Sequence, residues 1–288
     1  VGIDCRRADR LRTKYDTVAR QVDCPFGNQG EMDMGSQFNT KIFADGANIE
    51  AMLALYNNPC IAGFTTNPTL MRKAGVTDYK AFAQAILRSI KDRPISFEVF
   101  ADDFDEMELQ AMEIASWGEN VYVKIPITNT KRQTSAPLIA KLSNAGVKIN
   151  VTAILTIEQV RHVLPSVANS KAAYISVFAG RIADTGIDPL PIMEKVVSIL
   201  SPYPQVELIW ASPRELLNVA QASDIGCHII TATEDILKKL PLVGKDLGEY
   251  SLETVKMFYD DAKAAGYTID VSAHRPFVQP VTPPVVIG

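Results

Sequence analysis

The residue with the clearest chemical potential is Lys124, in the middle of the run Val121-Tyr122-Val123-Lys124-Ile125-Pro126-Ile127. A continuous apolar run of this length reads as a fully buried strand. Lysine is rarely enclosed unless something compensates its charge. Desolvation penalises the ammonium form and lowers the pKa, which makes the side chain an amine nucleophile near neutral pH. Imine formation with a carbonyl substrate is the reaction such an amine serves. A snorkelling stem or an ion-paired structural lysine is the other reading of the same residue, so the rest of the chain has to decide.

Other polar residues recur in or just after apolar runs: Asp45, Thr65-Thr66-Asn67, Glu98, Asn150, Thr152, Ser176, Arg181, Ser212 and Arg214. Each has an ordinary structural use. Asp45 before Gly46 could cap a helix or make a turn. Thr65-Thr66-Asn67-Pro68 could be turn chemistry, because the residue before proline prefers extended or turn geometry. Glu98, inside Ile95-Ser96-Phe97-Glu98-Val99-Phe100, is harder to place unless that strand faces a polar interior. Arg181 and Arg214 could be surface cations, but beside strand-end serines they also fit an anion site. Burying such charges unpaired costs several kcal/mol, so they are expected to face one shared cavity.

The elements that would position them alternate regularly. Strands are expected at 41–44, 62–65, 95–100, 121–127, 148–154, 173–178, 205–211 and 228–231. The helices that follow are expected at 48–57, 78–91, 103–116, 133–144, 157–167, 190–200, 213–222 and 233–240. Eight strand–helix units imply an α/β chain with a parallel sheet and helices outside, read as a closed (β/α)8 TIM barrel. An open doubly wound sheet is the alternative, but no Gly-x-Gly-x-x-Gly follows the first strand and no Walker A loop is present. A further helix at 251–265 carries Ser251 as its expected N-cap and stops at Gly266. In barrel enzymes catalytic groups sit at the C-terminal ends of the strands, and every unit except the last offers a candidate there.

Residues 1–39 read as a polar, poorly ordered N-terminal extension with one short helix near 7–22 and an alternative start at Met34. Residues 40–270 form the barrel with its C-terminal helix, and 271–288 a peripheral Pro-rich tail. A net charge of −4 gives no nucleic-acid footprint, and no apolar run is long enough for a membrane span. Cys5, Cys24, Cys60 and Cys227 lack metal or redox spacing, which fits free thiols in a cytoplasmic protein. His162, His228 and His274 are far apart, so no metal is expected.

The blocks Phe43-Ala44-Asp45, Gly63-Phe64-Thr65-Thr66-Asn67-Pro68, Val123-Lys124-Ile125-Pro126 and Asn150-Val151-Thr152 resemble the signature segments of the transaldolase family. Ser176 through Arg181 and Ala211-Ser212 extend the likeness, which covers roughly Lys41 to Gly266. The resemblance implies a class I aldolase-type barrel that needs no cofactor and acts on sugar phosphates in carbohydrate metabolism. It makes Lys124 the Schiff-base nucleophile, Asp45 the acid/base for C–C cleavage and formation, and Glu98 with Thr152 the pair that positions a water. It places Thr66, Asn67, Asn150, Ser176 and Phe178 around the ketose unit, and Arg181 and Ser212 at the phosphate, with Arg214 a weaker addition. Aldolase relatives typically carry Gln for Glu98 and Tyr for Phe178, so the chain resembles a transaldolase more than a fructose-6-phosphate aldolase. A sugar-phosphate-binding barrel without chemistry is the reading from a different class. Members of the family form homo-oligomers, and one is expected here.

Overall fold

Eight parallel strands close on themselves in chain order, each hydrogen-bonded to the next and the last to the first. The computed structural model describes residues 38–274. Expectations for the N-terminal extension, its short helix, Cys5 and Cys24, and for the tail beyond His274 lie outside the described residues. The strands are β1 (Lys41–Asp45), β2 (Ile61–Thr65), β3 (Ile95–Glu98), β4 (Val121–Pro126), β5 (Ile149–Ile154), β6 (Ala173–Val177), β7 (Val206–Trp210) and β8 (Ile229–Thr233). Between them run α1 (Ile49–Tyr56), α2 (Pro68–Lys73), α3 (Tyr79–Ser89), α4 (Phe104–Ala115), α5 (Ala136–Asn144), α6 (Ile157–Val167), α7 (Ala179–Ala183), α8 (Leu190–Leu200) and α9 (Leu217–Asp224). The short α10 (Glu234–Leu237) follows β8. The barrel is the expected one, and the open sheet is excluded.

Side chains alternate between the helical layer and the barrel interior with the period of a strand. Contacts across the interior fix which set points inward. Ser96 of β3 meets Asn150 of β5, the Phe43 ring of β1 meets Tyr174 of β6 edge-on, and Lys41 pairs with Glu207 of β7. The lower interior is filled by Phe43, Tyr122, Tyr174, Ile209 and Ile229, with the two tyrosine rings stacked 4.0 Å apart. This plug makes the barrel a packed core rather than a pore, and the polar inward residues lie above it.

Several features differ from the sequence expectation, among them that the expected helices at 213–222 and 233–240 are Leu217–Asp224 and the short Glu234–Leu237. Two short helices, α2 and α7, occupy segments read as turn or loop. Asn67 starts α2 by accepting from the Leu70 N–H with Pro68 in the first turn, an arrangement suited to a proline that has no N–H to satisfy. The segment expected to begin a helix at Gln133 instead folds back on itself: Thr128 bridges Thr134 around Asn129, whose side-chain oxygen accepts from the Lys131 and Gln133 N–H groups. The eighth strand runs to Thr233, two residues beyond its expected end.

The chain divides into two compact units, one ending at Leu237 and one starting at Lys238. The second contains α11 (Leu247–Ala264), which is capped by Asp246, five residues before the expected cap Ser251: the Asp246 carboxylate accepts from the Glu249 N–H. Among the described residues no helix is long and apolar enough to cross a membrane. Cys60 and Cys227 are free thiols, and burial pushes the Cys227 thiol up to about 12.

Gly63 faces the plug from β2. A Cβ there would stand 2.6 Å from the Phe43 ring, so Gly63→Ala forces the ring to shift within a closed barrel. Urea unfolding should show a loss of about 1–3 kcal/mol, the usual cost of overpacking; unchanged stability would mean that the plug is looser than described.

Candidate active site

The inward polar residues converge on Lys124. Its side chain is 7% exposed, and its Nζ lies 3.0 Å from a carboxylate oxygen of Glu98, itself 18% exposed. A second contact, 2.7 Å to the Thr66 carbonyl, holds the amine from the other side. The amine is therefore enclosed as expected, but its wall is not apolar. Glu98 and Lys124 are direct partners in the β3–β4 register, so the pairing follows from strand alignment rather than from long, flexible reach. Removing one partner of such a pair leaves a buried charge uncompensated, at a cost of about 3–5 kcal/mol.

Asp45 ends β1 opposite Thr65 of β2. Its carboxylate accepts from the Thr65 hydroxyl at 2.8 Å and from the Asn67 amide at 3.3 Å. It caps no helix; Asn48 does that for α1. The three consecutive residues Thr65-Thr66-Asn67 thus form a bracket: two side chains hold Asp45, and the carbonyl between them holds Lys124. Desolvation raises the Asp45 pKa above the ordinary 3.8. Lys124 and the Thr65 and Asn67 hydrogen bonds pull it down, and the Glu98 charge pushes it further up. Burial is the dominant cause, and it is the effect that tunes carboxylates toward general-base work.

Glu98 is aimed by a residue that nothing in the sequence singled out. The last paired residues of β2 and β3 are Thr65 and Ser96. Beyond them the Tyr79 hydroxyl, from the start of α3, takes the place of the missing strand. It accepts from the Glu98 N–H at 2.7 Å and donates to the Glu98 carbonyl at 3.1 Å. The ring is locked by edge contacts with Phe97 and Trp117. Burial pushes the phenol pKa upward, so Tyr79 stays a neutral hydrogen-bonding group.

A second chain of hydrogen bonds crosses the interior from β6 through β5 to β3. Ser176 donates to Asn150 at 2.7 Å, and Asn150 donates to Ser96 at 3.0 Å. Ser96 was not anticipated, although it lies two residues before Glu98 and shares its inward face. The Thr66 hydroxyl, by contrast, is spent on the Ser96 carbonyl, so Thr66 offers the site its backbone. The Thr152 hydroxyl is buried without a protein partner, an arrangement that costs about 1–3 kcal/mol unless water or a ligand group satisfies it. Next to it, Ala153 has a φ of 61° where the β5–β6 register shifts.

The anion candidates follow β6 and β7. Arg181 on α7 lies 5.7 Å from the Phe178 ring, which packs against the plug. The start of α7, which carries Arg181, and the loop carrying Ser212 touch backbone to backbone: a Cβ on Gly180 would stand 1.6 Å from the Ser212 carbonyl oxygen. Ser212 is itself left-handed, at φ 59°. The Arg214 guanidinium forks onto Asp184, with Nε donating at 2.9 Å, and holds that carboxyl below its ordinary range. Arg214 is thus already engaged, whereas Arg181 leans on the aromatic face. Among the described residues three non-glycine residues have positive φ: Ala153 within the last part of β5, Ser212 just after β7, and Arg132 in the loop after β4.

Tyr79→Phe leaves the Glu98 N–H without its acceptor. The variant should lose about 1–3 kcal/mol of stability in urea unfolding, with a crystal structure showing the Glu98 backbone displaced; wild-type stability and an unmoved Glu98 would remove Tyr79 from the site.

The profile of the family described as Transaldolase/Fructose-6-phosphate aldolase matches residues 42–275. A protein of Dehalococcoides mccartyi named "Probable transaldolase" is 37% identical over 201 residues, covering 69% of this chain and 89% of its own length. Another of that name, from Thermoanaerobacter sp. strain X514, is 35% identical over 230 residues, covering 80% of this chain and 100% of its own. The matched region starts at Ile42 in β1, takes in the other seven strands, and includes Asp45, Glu98, Lys124, Asn150, Thr152 and Ser176. The chain belongs to the transaldolase/fructose-6-phosphate aldolase family.

Proposed function

We propose that the chain is a transaldolase. It takes a dihydroxyacetone unit from a ketose phosphate, such as fructose 6-phosphate or sedoheptulose 7-phosphate, and delivers it to an aldose phosphate. The observation that carries this reading is the enclosed Lys124–Glu98 pair, with the Asp45 carboxylate close enough to feel both charges.

In this reading the Lys124 amine gives up a proton toward Glu98 and attacks the ketose C2 carbonyl. The carbinolamine loses its hydroxyl as water, with Glu98 and a water held by Thr152 moving the protons. Asp45 then takes the proton of the C4 hydroxyl. The C3–C4 bond breaks, its electron pair passes into the protonated imine, and the shortened aldose leaves behind an enamine on Lys124. The acceptor aldehyde reverses these steps: the enamine carbon attacks it, Asp45 returns the proton, and water releases the lengthened ketose. Asn67, Asn150 and Ser176 orient the hydroxyls of the three-carbon unit. Arg181 and Ser212 hold the phosphate, with Arg214 steadying the loop through Asp184.

A transferase has to keep water from protonating the enamine before the acceptor arrives. Phe178 favours transfer over simple aldol cleavage, because it brings no hydroxyl to direct a water at that carbon.

Fructose 6-phosphate and erythrose 4-phosphate should therefore yield sedoheptulose 7-phosphate and glyceraldehyde 3-phosphate, followed by mass spectrometry of the products. Lys124→Arg keeps the charge but not the nucleophile, and should lower the rate on the order of 10³-fold. Full turnover in that variant would refute the assignment, and free dihydroxyacetone formed at the same rate without acceptor would make the enzyme a lyase.

The pH dependence has a definite sign. Asp45 works as a base only when ionised, and its pKa is raised. The rate of cleavage should fall as pH decreases through a limb lying above the ordinary aspartate value of about 3.9. Asp45→Asn should abolish cleavage across the whole pH range; a cleavage-competent Asn variant would exclude Asp45 as the base.

A further inference from the structure

The eighth strand, which offered no candidate in the sequence, places Thr231 inside the barrel. Its hydroxyl lies 2.6 Å from that of Thr65, and the Thr65 hydroxyl lies 2.8 Å from Asp45 Oδ1. Thr231 is 5% exposed and Thr65 3%. The register explains the reach: Thr231 pairs with Phe43 and Thr65 with Asp45, so the two hydroxyls meet across the inner face of β1, just below the carboxylate. Phe43 lies beneath them on that strand, with room for its ring left by Gly63.

Proton counting gives this chain a direction. An ionised carboxylate can only accept, and a threonine hydroxyl has one hydrogen to donate. With Asp45 ionised, the Thr65 hydrogen goes to Asp45. The hydrogen in the 2.6 Å contact then comes from Thr231. We propose that Thr231 is a positioning residue for the acid/base step: by donating to Thr65 it fixes and polarises the hydroxyl that Asp45 accepts from, and so favours the ionised, base-competent carboxylate. This rests on the reading of Asp45 as the base of the proposed transfer reaction. Successive donors in a buried chain strengthen one another, and a hydrogen bond to the charged form stabilises that form.

The other groups around Asp45 come from different elements: Lys124 on β4 favours its ionised state, Glu98 on β3 opposes it, and the Asn67 amide after β2 supports it. Thr231 touches none of them in the hydrogen-bond network, so its effect has to pass through Thr65. The competing role for Thr231 is purely structural, as a staple across the β8–β1–β2 seam. Such a staple would change stability or overall rate without moving a titration.

Thr231→Val keeps the shape and removes the donor, and Thr231→Ser restores it. Transfer rates of wild type and both variants are measured from pH 4.5 to 9, with thermal unfolding of each at the same pH values. Thr231→Val should move the acid limb upward by about half a pH unit, an about threefold lower rate on the acid side that closes toward wild type on the alkaline side. Thr231→Ser should return the limb to its wild-type position. A Val variant whose limb superimposes on wild type, whether its rate is uniformly lower or unchanged, overturns the proposal, as does a Ser variant that behaves like Val. Should Thr231→Val fail to fold, Thr231→Ala is read by the same limb. Absence of transfer by the wild-type chain would strike the functional reading itself, and is seen separately before any variant is compared.

Discussion

A lysine amine shut inside a barrel must have its charge answered, and the rest of this site follows from how that is done. Glu98 answers it from the neighbouring strand at 3.0 Å, and the Thr66 carbonyl completes the grip. Because Glu98 and Lys124 are register partners, the barrel closure sets the pairing. The same tripeptide that grips Lys124 also holds Asp45, so the proposed nucleophile and the proposed base are tied to one short stretch of backbone. Such a pair adds little to stability relative to an apolar core. That balance favours the chemical role proposed for the pair over a purely structural one.

Other unfavourable terms gather at the same end of the barrel. Asp45 is desolvated, the Thr152 hydroxyl has no protein partner, and Ala153 and Ser212 occupy left-handed backbone. The plug below is the opposite: Phe43, Tyr122, Tyr174, Ile209 and Ile229 bury apolar surface, and the tyrosines stack. The polar half keeps its geometry because the packed half and the register hold it there.

The barrel was legible in the sequence because strand and helix periods alternate eight times, and Lys124, Glu98, Asn150 and Ser176 were legible because each interrupts an apolar run. What escaped had identifiable causes. Thr231 was hidden by a boundary: ending β8 two residues early made it a terminus instead of an inward position. Ser96 shares the parity of Glu98, but a lone serine in a strand carries no charge to draw notice. Tyr79 lies on a helix and reaches the site by tertiary packing alone, which no local pattern encodes. The helices α2 and α7 are each under two turns, too short for an apolar period to show. Ser251 looked like a cap by composition, whereas Asp246 has the geometry.

The chemistry attributed to Lys124 is a covalent bond, and it can be caught. Borohydride reduction in the presence of fructose 6-phosphate, followed by proteolysis and mass spectrometry, should find a reduced three-carbon adduct on the peptide bearing Lys124. An adduct on another lysine, or none while the substrate turns over, would contradict the enclosed amine as the nucleophile.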